Sequence, residues 1–177
     1  MSIRAYKSHA PTIAGSAYVD ETATIIGYVT IGEKSSIWPN TVIRGDVNTI
    51  SIGESTNIQD GSILHCTHDG PYTPGGKPLV IGNFNTIGHL VMLHAATIED
   101  YCLIGMNATL LDGCHIESHT FIAAGSLVPP GKRLESGYLW MGQPVKKVRR
   151  LTTDELEHLT YSANHYANLA KSYINNT

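Results

Sequence analysis

Nine histidines are spread along this 177-residue chain, and three sit where their spacing could build a metal site. His65 lies in ILHCTH (63–68), and His89 and His94 lie five apart in IGHLVMLHAATI (87–98). Neutral imidazoles are ordinary ligands for zinc, and three of them leave a coordination position open. An ion held that way lowers the pKa of bound water from about 15.7 to about 7, so hydroxide is available at neutral pH to attack an electrophilic carbon. Further polar groups stand in short motifs: Arg44 and Asp46 in RGD, able to pair and shape the local field, and Gln59 and Asp60 in NIQDG, of which Gln59 could orient the water by a hydrogen bond. His68 follows His65 by three places and has the side-chain chemistry of a proton relay. These groups form a site only if the backbone gathers them.

The elements that must do so are marked by a repeat of six. Aliphatic residues recur at Ile13, Val19, Ile25, Ile31, Ile37 and Ile43. They recur again at Ile52, Ile58 and Leu64, then at Ile81, Ile87 and Leu93. A last run goes from Ile98 through Ile104, Leu110, Ile116, Ile122 and Val128 to Leu134, ending at Trp140. Four places after most of them stands a small residue, such as Ala23, Thr41, Ser62, Cys102, Ala108 or Ser126. A period of six excludes an amphipathic helix, which repeats near 3.6. Short strands joined by tight turns, with one large and one small residue inward per hexapeptide, give a parallel β-helix. Gly and Asn after the aliphatic residue (IGEKS, IGESTN, IGNFN) suit turns that need positive φ. The expected fold is all-β, a β-helix of about seven coils over 1–150 with an excursion loop at 69–78 (DGPYTPGGKP), then a C-terminal helix over 151–177. Thr152 and Glu155 fit a capping box, and Leu156, Leu159, Ala163, Tyr166, Ala170 and Tyr173 make the apolar stripe that packs on a prism face, its own or a neighbour's.

The register serves as a ruler. His65 and His94 each stand one place after an aliphatic rung, Leu64 and Leu93, and the path between those rungs is one full coil. They therefore share a column on one face, about 4.8 Å apart, close enough to share an ion. His89 stands two places after Ile87, on another side of the triangle, with the core between it and the other two. A threefold assembly resolves this: one subunit supplies His65 and His94, its neighbour supplies His89, and the heterologous contact closes into a ring. If the insertion at 46–51 lies within one step, Arg44 stacks one coil below His65, while Asp60 stacks one coil below His89.

Composition narrows the remaining choices. Hydrophobic residues make up 42%, charged residues 15%, and the net charge is −3, which argues against nucleic-acid binding. No segment approaches 18 uninterrupted apolar residues, so no membrane span is expected. The first residues, MSIRAYKSHAPTIAG, lack the apolar stretch of a signal peptide, so a cytoplasmic protein is expected. Cys66, Cys102 and Cys114 form no CxxC pair; they read as reduced, and as packing groups. His9, His115, His119, His158 and His165 read as solvated or structural. Tyr161 and Asn164 could approach the site from the C-terminal helix, and Tyr72 could gate it from the loop.

The repeat resembles that of hexapeptide-repeat proteins, a likeness that implies a left-handed β-helix, against the right-handed rule for parallel crossovers. The set Arg44-Gly45-Asp46, Asn57-Ile58-Gln59-Asp60-Gly61, His65, His89 and His94 resembles the γ-class carbonic anhydrase family. More narrowly, RGDVNTISIG, TNIQDGSILH, IGHLVMLHAATI and RLESGYLWMGQPVK are similar to its short bacterial members. That resemblance implies Zn2+ (or Fe2+ or Co2+) held by His65, His89 and His94 at homotrimer interfaces. It implies an intersubunit ion pair between Arg44 and Asp46, a water-orienting Gln59 supported by Asp60, and reversible hydration of CO2 to bicarbonate. The chain departs from the family pattern in its proton shuttle. Val47 follows Asp46, and the loop after His65 offers His68 and Asp69 but no glutamate. Two other functions therefore stay open: a non-catalytic metal-binding or assembly role, and an acetyl-CoA-dependent acyltransferase on the same fold.

Overall fold

A computed structural model describes residues 2–175; Met1 and the last two positions of the expected helical segment, 176 and 177, lie outside the described residues. The chain winds as a left-handed parallel β-helix and ends in one α-helix, Thr153–Asn175. Three columns of side chains fill its interior. One runs through Ile13, Ile31, Ile52, Ile81, Ile98, Ile116 and Leu134. The second runs through Ile25, Ile43, Leu64, Leu93, Leu110 and Val128. The third runs through Val19, Ile37, Ile58, Ile87, Ile104, Ile122 and Trp140. These are the six-residue rungs of the sequence, and from Ile25 inward most have no exposed surface. Burial of a stacked aliphatic ladder is the main stabilising term of the fold.

Two long strands shape the site. Thr24–Ile31 and Val42–Ile52 each turn a corner, so they pair on two faces in succession. The start of Val42–Ile52 pairs with Ile63–His65, and its end pairs with Leu79–Ile81. The register against Thr24–Ile31 jumps from Gly27↔Gly45 to Val29↔Ile50. Residues 46–49 therefore bulge out at the corner within a single step of the repeat, as the placing of Arg44 under His65 requires. Bulges commonly re-aim side chains in this way.

The glycines after the rungs have a different role from the one expected. Gly53 does not have positive φ; the left-handed turn residues are Lys34, Ser55 and Phe84, two places beyond Gly32, Gly53 and Gly82. Gly53 is needed because a Cβ there would lie 2.6 Å from the carbonyl oxygen of Gly82 on the next coil. Close coil stacking, and not turn dihedrals, selects glycine here.

The C-terminal helix begins with the expected reciprocal cap: Glu155 N–H donates to Thr152 Oγ1 at 3.2 Å, and Thr152 N–H donates to the Glu155 carboxylate at 2.9 Å. Leu159, Ala163, Ala167 and Ala170 are buried. The helix lies on its own prism face, where Tyr166 and Tyr173 meet Trp38 edge-on and Ser162 meets Thr86 at 2.9 Å. Among the described residues no helix is long and apolar enough to cross a membrane.

Candidate metal centre

Arg44, His65 and His94 are successive Cα partners across parallel strands. Ile63–His65 and Met92–His94 end at the corner that Val42–Ile52 turns, and register partners point the same way, so all three side chains leave the prism on one side. His65 Nδ1 lies 3.1 Å from His94 Nε2. Two nitrogens bound to one first-row ion at about 2.0–2.1 Å lie roughly 2.9–3.4 Å apart for octahedral to tetrahedral angles. The separation fits a shared ion.

The opposite nitrogen of each ring faces a carboxylate. His65 Nε2 lies 3.0 Å from Asp46 Oδ1, and His94 Nδ1 lies 2.9 Å from Asp112 Oδ2. Burial alone would raise the Asp46 carboxyl, but hydrogen bonds from His65 and Arg44 outweigh it and hold it below its ordinary value. At Asp112 burial likewise opposes the bonds from Thr67 and His94, and the bonds again prevail. Both carboxylates are thus ionised acceptors, and each ring donates its N–H outward. Burial pushes His65 below its ordinary pKa, so its neutral form is favoured. With the N–H groups outward, Nδ1 of His65 and Nε2 of His94 are the nitrogens that face each other. Lone pairs at that distance repel unless a cation lies between them. The outer carboxylates are the second-sphere partners that ligating histidines commonly have.

Arg44 Nη1 donates to Asp46 Oδ2 at 2.6 Å within the chain. The resemblance implied an intersubunit pair for these residues. Here they stand two apart on the bulged strand, on the same side, and meet directly.

His89 is held elsewhere. It follows Thr86–Ile87, a strand of the ladder that includes Asn57–Ile58 and Leu103–Ile104, and His65 and His94 belong to the other sheet. Its Nδ1 lies 2.9 Å from Asp60 Oδ2 on the coil below, as the register requires. Gln59 beside Asp60 is buried, and its Nε2 donates to Asn57 Oδ1 at 3.0 Å. Among the described residues no three His, Cys, Asp or Glu side chains converge as a metal cluster within the chain. Seven of the expected groups thus form two half-sites: Arg44, Asp46, His65 and His94 on one side, and Gln59, Asp60 and His89 on the other.

His68 is exposed and lines a cleft of about 470 Å³ with Asp46, Val47, Lys7, Tyr6 and Tyr28. Cys66 is buried, its Sγ 3.3 Å from the Asn48 carbonyl oxygen, and burial raises its pKa; it packs. Tyr72 is 99% exposed at the loop tip, and Tyr161 and Asn164 are exposed on the helix. On that helix Tyr166 is the residue near Asp60: burial, and next the charge of Asp60, raise its pKa. Asp112 escaped the sequence reading. Its one signal is a spacing of 18 from His94, one coil of the repeat.

Comparison with known proteins agrees with the repeat. Residues 95–130 match the family model "Bacterial transferase hexapeptide (six repeats)". The chain is 48% identical to Protein YrdA of Escherichia coli K12, covering 97% of this chain and 94% of that one. It is 44% identical to a carbonic anhydrase of Geobacillus kaustophilus, covering 95% and 88%. It is 46% identical to mitochondrial gamma carbonic anhydrase 1 of Arabidopsis thaliana, over 93% of this chain and 59% of that longer one. The crystal structure of a hexapeptide transferase family protein from Anaplasma phagocytophilum superposes with a TM-score of 0.90 at 40% identity, covering 97% and 98%.

Proposed function

Because this chain belongs to the γ-class carbonic anhydrase family, we propose that it hydrates CO2 reversibly to bicarbonate at metal sites shared between the subunits of a homotrimer. The observation that carries this reading is the facing pair His65 Nδ1 and His94 Nε2, each ring anchored from behind by a carboxylate. His65 and His94 of one subunit and His89 of its neighbour would hold Zn2+, or Fe2+ or Co2+ in its place. The ion supplies Lewis-acid activation of water at neutral pH.

The protein groups do the positioning. Asp46 and Asp112 accept from the outer N–H of each ring and so aim the opposite nitrogen inward. Arg44 holds Asp46 ionised and fixes the corner from which His65 projects. Asp60 steadies His89, and the buried Gln59 amide next to it is the hydrogen-bonding group that orients the reacting water. The cleft beside Asp46 offers an exit in which His68 and Asp69 can collect the released proton.

The surface supports a shared site. Leu90 and Met106 are 63% and 57% exposed near Gly88–His89, and Ile63 is exposed on the strand that ends at His65. Val47 is exposed next to Asp46. Apolar side chains standing beside both half-sites are what an interface between copies would cover. Val47 also supports the second reading, metal binding without fast turnover, because it occupies the place where the family's shuttle carboxylate is expected.

Metal analysis of anaerobically purified protein, together with stopped-flow CO2 hydration by the zinc- and iron-loaded forms, tests the proposal. It predicts bound metal and activity that His94→Ala abolishes. Metal without activity in either form would leave the second reading; a metal-free protein would reject both.

A further inference from the structure

Asp112 ties one ligand to the excursion loop. Its Oδ2 faces His94 Nδ1 at 2.9 Å, and its Oδ1 accepts a hydrogen bond from Thr67 Oγ1. Thr67 closes the base of the loop through paired backbone bonds with Lys77, at 2.9 and 3.0 Å. The Thr67 carbonyl oxygen also accepts from Asn48 Nδ2, at 3.2 Å, on the bulge that carries Asp46. Asp112 comes from a third coil, beyond those of His65 and His94. It is only partly exposed.

We propose that Asp112 is a positioning residue: it locks His94 in the tautomer protonated on Nδ1, keeps the Nε2 lone pair turned toward His65, and couples that orientation to the loop base through Thr67. The inference rests on the metal-centre reading, but the tautomer can be measured without metal. An imidazole can carry its proton on either nitrogen, and the partner of one decides which is free for the ion. At His65 Asp46 accepts from Nε2, and at His94 Asp112 accepts from Nδ1. Opposite tautomers on rings one coil apart are what bring two lone pairs to one point. Removing the Asp112 charge would free His94 to donate from Nε2 into its neighbour, closing the half-site with an internal hydrogen bond. Thr67 fixes the carboxylate that fixes His94, so a change at the loop base reaches the ligand through two hydrogen bonds.

The test compares wild type, Asp112→Asn, Thr67→Val and Thr67→Ser. Nitrogen-15 NMR of metal-free protein reads the His94 tautomer, and competition with a chromophoric chelator reads zinc affinity. Asp112→Asn should lose the fixed Nδ1-protonated form and bind zinc about 10- to 100-fold more weakly. Thr67→Val should weaken zinc by a smaller factor, and Thr67→Ser, which keeps the hydroxyl, should match wild type. An unchanged His94 tautomer in Asp112→Asn, or zinc affinity within twofold of wild type, would overturn the inference. Wild type that shows the Nδ1-protonated tautomer yet takes up no zinc would support the positioning role and sink the metal-centre reading.

Discussion

His65 and His94 are 29 positions apart in the chain, yet His65 Nδ1 lies 3.1 Å from His94 Nε2 because their strands are register partners one coil apart. His89, only five places before His94, stands in the turn that follows a strand of the other sheet. Proximity in a β-helix is set by coil register and face, so the column carries His65 and His94 together while His89 stands on another side of the chain.

The first prediction concerns pH. Asp46 and Asp112 are lowered from 3.8, so between the folded and unfolded values the unfolded chain binds more protons. Their stabilisation is complete above 3.8 and is lost as pH falls through the folded values. His65 is lowered from 6.5, so it too favours folding more at higher pH and withdraws that support as pH falls below 6.5. Urea midpoints of metal-free protein should fall from pH 7 to pH 5, and fall further below pH 4. Asp112→Asn should blunt the lower drop. A flat profile across both windows would contradict the electrostatics described for the half-site.

A second prediction concerns the exposed side chains beside His89. The double variant Leu90→Glu, Met106→Glu should shift the mass by sedimentation from trimer toward monomer while far-UV circular dichroism stays unchanged. Charges buried without partners at an interface are strongly unfavourable. An unchanged trimeric mass would place the interface elsewhere.

A third prediction concerns the interior. Asn85 is fully buried in the small-residue column, and its Nδ2 has no hydrogen-bond partner. In that column Ser35 and Thr56 each accept from a backbone N–H and donate to a carbonyl oxygen. Asn85→Thr should therefore keep thermal stability to within about 1 kcal/mol, or raise it, because an unpaired buried donor costs about 1–3 kcal/mol. Leu93→Ala, which empties a rung, should cost about 2–5 kcal/mol by urea titration. A larger loss in Asn85→Thr than in Leu93→Ala would reverse this account of the core.

Much of this was legible in the sequence because the repeat is a ruler. Ile43, Leu64 and Leu93 alone place Arg44, His65 and His94 in one column, and the same counting separates His89. Asp112 was not legible that way. Leu93 and Ile98 are five apart instead of six, so Leu93 pairs with Leu110 after 17 residues, and Asp112, two places beyond Leu110, reaches His94, one place beyond Leu93. The direction of the Arg44 side chain was also hidden, since the bulge at 46–49 decides that Asp46 of the same chain meets it. Which face the helix covers depended on aromatic contacts of Trp38 that no periodicity announces.

The central claim is that each metal site takes His65 and His94 from one copy and His89 from another. His89→Ala and His94→Ala subunits should each bind no metal alone. Mixed in equal amounts under conditions that exchange subunits, about one interface in four should unite intact residues from both, because the ring contact is heterologous. Zinc measured per chain after mixing should rise from near zero to about a quarter of the wild-type value. No recovery in mixtures shown by native mass spectrometry to contain mixed trimers would contradict the shared site.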